Sequence, residues 1–312
     1  MDRILYKLGY THRYGSYRKI YTAVPKDKYC GKPVPTQEAG NELIAKRIET
    51  GKPLLIARLG STELSALYHY YLHGCKNIVW EPDILYNMQI ASGFFPSDAE
   101  HMERFCEEMF AHLHQVDIMG IWYNEGEETI CNKYCLDTTQ YIPLPSIEPY
   151  YFPENPWSKH LKGKKVLVIH PFTDSIMYQY THNRPKLFHN NDILPQFELK
   201  TIQAVQSIAG AATGYATWFD AYRHMCDQIL ATDFDIALIG AGAYGLALGS
   251  FVKSINKQAI HMGGASQLMF GILGKRWMDN KDINKYFNEH WKKPYPHETP
   301  ERAEKVENAC YW

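Results

Sequence analysis

Pro53-Leu54-Leu55-Ile56-Ala57, followed at once by Arg58-Leu59-Gly60-Ser61-Thr62-Glu63, is the most informative stretch of this 312-residue chain. The short apolar run reads as a strand. Beyond it, Leu64, Leu67, Tyr68, Tyr71 and Leu72 recur at the spacing of one helix face. The segment is therefore expected to run strand, tight turn, amphipathic helix. Its turn sets a cation and a carboxylate five residues apart at a helix N-terminus, where free N–H groups favour anions. Such a turn suits a phosphorylated ligand, with Arg58 gripping phosphate in bidentate geometry and Glu63 offering a divalent cation one hard oxygen. Gly60 would permit the sharp turn. The same residues also read as an ordinary helix start, with Ser61 as N-cap, Glu63 favoured by the helix dipole and Arg58 paired to Glu63.

The remaining segments point the same way. A helix is expected from Pro35-Thr36-Gln37-Glu38 to Glu49, and another from a capping box at Ser97-Asp98-Ala99-Glu100. The second has Met102, Phe105, Cys106, Met109, Phe110 and Leu113 on its apolar face. Strands are expected at Val116–Ile121, Lys164–Ile169, Asp235–Ile239 and Gln258–His261, with a further helix starting at Thr217-Trp218-Phe219-Asp220. Residues 137–157 hold five prolines and read as a loop over a site. Apolar strands alternating with amphipathic helices imply an α/β, Rossmann-like layered domain with a mostly parallel sheet flanked by helices. The expected organisation is one domain over residues 1–312: an N-terminal arm and helix (1–50), an α/β core (51–275) and a tail packed on it (276–312).

In parallel sheets ligands bind beyond the carboxyl ends of the strands. Arg58 to Glu63, His170, Gly240 to Gly245 and His261 to Gly264 all fall at such ends in this reading. His170, His261 and Asp174 are candidate bases, and Gln179 and Arg184 are polar residues suited to an acceptor. Gly240-x-Gly242-x-x-Gly245 is formally the dinucleotide fingerprint, which keeps a nucleotide-dependent oxidoreductase as a third reading. Against it, the next strand ends in His261-Met262-Gly263-Gly264, without the acid that should hold the ribose.

The motif Arg58-Leu59-Gly60-Ser61-Thr62-Glu63 resembles the Arg-x-Gly-Asp-Gly-Glu signature of GT-D-fold glycosyltransferases, bacterial enzymes that build surface glycans. Arg58, Gly60 and Glu63 match, and Ser61 stands where the family has its first metal-associated Asp. The block Ala237-Leu238-Ile239-Gly240-Ala241-Gly242-Ala243-Tyr244-Gly245 is similar to this wider group. So are His261-Met262-Gly263-Gly264, Gln267-Leu268-Met269-Phe270-Gly271 and Gly274-Lys275-Arg276-Trp277, and the likeness spans roughly residues 50 to 312. The resemblance implies a glycosyltransferase that uses a nucleotide-diphosphate sugar and a cell-surface glycan or lipid-linked acceptor. It implies substrate contacts from Arg58, Gly60, Ser61, Gly240, Gly242, Tyr244, Gly245, Gly263, Gly264 and Gln267. It also implies a catalytic role for Glu63 with Mn²⁺ or Mg²⁺ there, while His170, Asp174 and His261 are catalytic candidates from their places at strand ends. The alternative is a non-catalytic glycan- or nucleotide-binding protein of the same fold, which the Ser61 departure favours.

Composition narrows the field. Apolar residues make up 45% and charged residues 21%, as in an ordinary globular protein, and a net charge of −1 gives no case for nucleic acid. Seven scattered Cys form no C-x-x-C, and Cys131 with Cys135 lacks a second pair for zinc. Free thiols in a reducing, cytoplasmic setting are expected. Residues 1–28 carry seven Lys/Arg among several Tyr, which suits either the inner face of a membrane or a solvated arm.

Overall fold

Leu54 and Ile56 face one side of a central strand and Leu55 and Ala57 the other, so the strand is buried on both faces. That requirement generates the layers. The computed structural model describes residues 27–76 and 78–312; nearly all of the basic N-terminal arm, and the membrane contact expected of it, lie outside the described residues. A short antiparallel hairpin pairs β1 (Lys28–Tyr29) with β2 (Lys32–Pro33). The main sheet comprises β3 (Leu54–Arg58), β4 (Ile118–Ile121), β5 (Gln140–Pro143), β6 (Lys165–His170), β7 (Glu198–Gln203), β8 (Ile236–Ile239) and β9 (Gln258–His261). It is seven-stranded, in the order β5-β4-β3-β9-β8-β6-β7, and every pairing in it is parallel. The α/β class with a parallel sheet flanked by helices is what the chain forms.

Among the described residues, the helices of eight or more residues are α1 (Gln37–Glu49), α2 (Ser61–Leu72), α3 (Pro82–Ile90), α4 (Ala99–Leu113), α5 (Glu127–Tyr134), α6 (Thr173–His182), α7 (Trp218–Leu230) and α8 (Gly245–Ser254). One core lies between the sheet and α2, α4, α7 and α8, with Phe105, Trp218 and Leu248 meeting Leu55, Ala57 and Ile239. The second lies on the opposite face, where α1, α6 and the C-terminal segment bring Ile44, Ile176, Trp291 and Trp312 against Ile56, Val168 and Leu238.

Several local expectations shift. The apolar face of α4 is as read, but its N-cap is Asp98, not Ser97. The Asp98 carboxylate accepts from the His101 amide at 3.1 Å and also contacts His101 Nδ1 at 2.8 Å, a two-point grip that Ser97 cannot offer. At α7 the capping box is complete: Thr217 Oγ1 accepts from the Asp220 amide, and Asp220 Oδ2 accepts from the Thr217 amide. Within residues 137–157, Gln140–Pro143 is the edge strand β5, where a terminal proline is tolerated because one side has no ladder to serve.

The glycine at the start of α8 is a packing requirement. A Cβ on Gly245 would overlap the ring of His261, which is buried at the end of β9. Gly245→Ala should therefore destabilise the fold by about 1–3 kcal/mol, whereas Gly214→Ala, with open space around it, should change stability by less than about 0.5 kcal/mol. Urea denaturation of both variants checks this, and equal midpoints would refute the packing account.

Candidate active site

Parallel strands aim their carboxyl ends at one rim, and five connections meet there. Arg58 to Glu63 follow β3, Trp122 follows β4, His170 to Phe172 follow β6, Gly240 to Ala243 follow β8, and His261 to Ala265 follow β9. With Glu148 and a C-terminal wall of Arg276, Glu307 and Tyr311, they enclose a cavity of about 250 Å³. The four strand ends singled out from sequence do share one rim.

Arg58 is the charge at its centre. Its guanidinium lies over the Trp122 ring, 4.5 Å from the centroid, and the indole N–H is held by the Leu59 carbonyl at 3.1 Å. Among the described residues Arg58 has no carboxylate in ion-pair contact, so the alternative of an Arg58–Glu63 pair is not what forms. Gly263, in the left-handed region at φ +68°, has no side chain where Arg58 Nη1 passes, 3.0 Å from where a Cβ would stand. Glu63 folds back instead over Gly60, filling the space a Gly60 side chain would take. This explains the Gly-x-x-Glu spacing. Gly60, not Ser61, is the N-cap of α2; it makes no side-chain cap, and Ser61 is the exposed first helical residue.

Two carboxyls act on Arg58 at longer range. Burial pushes Glu127 up to about 7, against two amide donors and Arg58, which favour its charged form. Its Oε2 accepts from the Trp122 and Tyr123 amides at 3.2 and 2.8 Å, fixing the loop that carries the Trp122 platform. Enclosure in the cavity wall likewise pushes Glu148 up to about 7, opposed by a Tyr150 hydrogen bond and Arg58. Tyr150 Oη donates to Glu148 Oε2 at 2.5 Å. Glu148 reaches the cavity because Gly120, beside Arg58 in the β3–β4 register, leaves room for Ile147 and Leu144. Sequence reading missed Glu148, Trp122 and the roles of Arg276 and Tyr311. A glycine inside a strand, marking close approach, was the available signal for the first.

The two histidines are in place but changed in character. His170 and His261 are 2% and 4% exposed. Burial lowers His170 to about 3; burial, then the Arg58 charge, lowers His261 to about 3. The Phe172 amide donates to His170 Nδ1 at 3.0 Å. Both rings are therefore neutral and only weakly basic at pH 7. Asp174 lies outside the cavity on the first turn of α6, with its carboxylate against exposed His297 at 2.9 Å. Tyr244 is buried face-to-face on Trp218 at 4.8 Å, away from the cavity, and Gly245 packs on His261. Gly240 and Gly264 border the cavity, but their side-chain space is taken, by Ser266 with His170 and by Tyr311 respectively. Gly242 and Gln267 also line it, and the Gln267 amide donates to the Ile272 and Tyr311 carbonyls at 3.4 and 3.1 Å. Gln179 is tied to the Gly271 and His290 carbonyls, and neither it nor Arg184 reaches the cavity.

The donor set around Glu63 does not fit a protein-held divalent cation. Ser61 supplies no carboxylate, and among the described residues the group of three metal-type donors is Asp174, His297 and Glu298, outside the cavity. There Glu298 already accepts from the Asp174, Ser175 and Tyr295 amides and from the Ser175 hydroxyl.

No known family model and no curated protein matches the chain. Two solved structures are similar at 12% identity. A selenomethionine-substituted domain of unknown function 1792 covers 74% of this chain and 78% of its own, with a TM-score of 0.44. The other, described as a domain of unknown function 1792 with a distinct glycosyltransferase fold, covers 85% and 92% with a TM-score of 0.46.

The Glu127 environment makes a pH prediction. Its folded value of about 7 lies above the ordinary 4.5, so its favourable contribution is complete below about pH 4.5 and lost as pH rises through about 7. Glu127→Gln removes that dependence. Relative to wild type, the variant should gain on the order of 3 kcal/mol between about pH 4.5 and 8, read from denaturation midpoints; a pH-independent difference would contradict the assignment.

Proposed function

We propose that this chain is a glycosyltransferase that moves a sugar from a nucleotide-diphosphate donor to a glycan or lipid-linked acceptor. The observation that carries the reading is Arg58, a guanidinium stacked on Trp122 and free of ion pairs among the described residues, at the rim where parallel-sheet proteins bind ligands. It stands beside the first turn of α2, whose N–H groups and dipole favour the same negative charge. The Arg-x-Gly-x-x-Glu resemblance supports the donor class.

Cleaving a sugar–phosphate bond leaves a nucleoside diphosphate with added negative charge. A guanidinium held in advance by an aromatic face stabilises that charge without reorganising at the moment of reaction. Its charge-assisted hydrogen bonds fit two phosphate oxygens at once. The neighbouring α2 amides supply further donors, and Gly263 leaves room for the arginine. The sugar would occupy the cavity among the Gly240 and His261 connections. No step is assigned to a metal, because the group of three metal-type donors found among the described residues does not include Glu63.

A non-catalytic binding protein would use the same Arg58 site, and the Ser61 departure favours it. A thermal-shift panel of UDP, GDP, CMP, their sugar conjugates and NAD, with turnover measured for any binder, separates the readings. Stabilisation by one sugar nucleotide together with release of its nucleotide supports the transferase. Binding without turnover supports the binding protein, and a response to NAD alone overturns both.

Arg58→Ala should weaken the bound nucleoside diphosphate by about 2 kcal/mol, ~30-fold in Kd, while barely changing the affinity of the corresponding nucleoside. Calorimetric titration of both ligands measures this; equal losses for the two would contradict a phosphate role for Arg58.

A further inference from the structure

Three carboxylates border the cavity, and one of them is ion-paired. Glu307 Oε2 accepts from Arg276 Nη2 at 2.6 Å, and Glu63 lies folded over Gly60 at the start of α2. Glu148 is different. Its Oε2 is fixed by Tyr150 Oη, which also lies 3.4 Å from the Ala265 carbonyl, while Oε1 accepts no hydrogen bond among the described residues and is not sealed from the cavity. Prolines at 143, 145 and 149 and the two short turns Leu144–Ile147 and Pro149–Tyr151 hold the backbone on either side of it.

We infer that Glu148 is the general base of the transfer, its Oε1 accepting the proton of the acceptor hydroxyl; this rests on the donor reading above. As the acceptor oxygen bonds to the anomeric carbon of the sugar, its proton passes to Glu148 Oε1. The bond from that carbon to the diphosphate oxygen breaks, and its electron pair leaves with the nucleoside diphosphate beside Arg58. Glu148 then returns the proton to solvent. The geometry suits the task, since Tyr150 orients the carboxylate without occupying both oxygens.

The groups acting on Glu148 are Arg58 from β3 and Tyr150 and Tyr151 from its own segment. Enclosure, the largest influence, holds its carboxyl near about 7, where a base is half ionised at neutral pH and strong enough to take a proton. His170 and His261, both near 3, do not compete for this role.

The test uses the full chain with UDP-glucose, UDP-galactose, UDP-N-acetylglucosamine and GDP-mannose, water serving as acceptor. Calorimetry first identifies which donors bind; if none does, the donor reading falls and the base assignment with it. For a donor that binds, hydrolysis is followed from about pH 5 to 9. The wild-type rate should rise with pH and level off, with a midpoint near about 7. Glu148→Gln should retain the donor Kd within about threefold, lose the pH-dependent limb and slow turnover by ~10²–10⁴-fold. Tyr150→Phe removes a hydrogen bond that favours the charged carboxylate, so its midpoint should move to higher pH. If Glu148→Gln does not fold, the Tyr150→Phe midpoint decides, and an unmoved midpoint overturns the assignment. A bound donor that wild type never hydrolyses, or Glu148→Gln turnover equal to wild type with the same profile, also overturns it while leaving the donor site standing.

Discussion

The pairing of β3 with β9 is the constraint on which the site depends. These strands come from opposite ends of the sheet-forming sequence, yet Leu54, Leu55 and Ile56 lie in register with Gln258, Ala259 and Ile260. That register sets Arg58 beside the His261–Gly264 connection, and the β3–β4 register sets it beside Gly120. A one-residue slip would turn the alternate side chains of a doubly buried strand toward the wrong core. The two hydrophobic layers thereby fix where the guanidinium emerges.

Around that charge the protein arranges groups that tolerate it without neutralising it. Glu127 and Glu148 feel Arg58 but are held by burial near neutrality rather than in the ordinary carboxylate range. His261 beside it is kept neutral. Trp122 offers an aromatic face, which attracts a cation without the tight pairing that a carboxylate would impose. The outer arginine, Arg276, is by contrast paired with Glu307 and stacked over Tyr311 at 4.7 Å. An incoming anion therefore meets less competition at Arg58 than at Arg276.

Much of this was legible in the sequence, because burial on two faces and amphipathic spacing leave strong signals. The strand before Arg58, the face of α4 and the strand Gln258–His261 follow from apolar pattern alone. The edge strands β5 and β7 did not, since an edge strand is short or polar and its burial depends on neighbours far along the chain. In the site, the rim and Arg58 were readable from a strand–turn–helix pattern. Glu148 was hidden in a proline-rich stretch whose approach to the sheet depends on Gly120. Tyr244 and Gly245 pack on Trp218 and His261, and in one dimension a glycine or aromatic required for packing looks like one required for a ligand. Burial changed the two histidines in a way their spacing could not show.

A crystal structure of the protein with a nucleotide-diphosphate sugar that stabilises it addresses the central claim most directly. The account predicts the pyrophosphate within hydrogen-bond distance of the Arg58 guanidinium and the first-turn amides of α2, with the sugar inside the cavity near Glu148. A pyrophosphate bound elsewhere, with Arg58 still lying on Trp122 and contacting no part of the ligand, would contradict it.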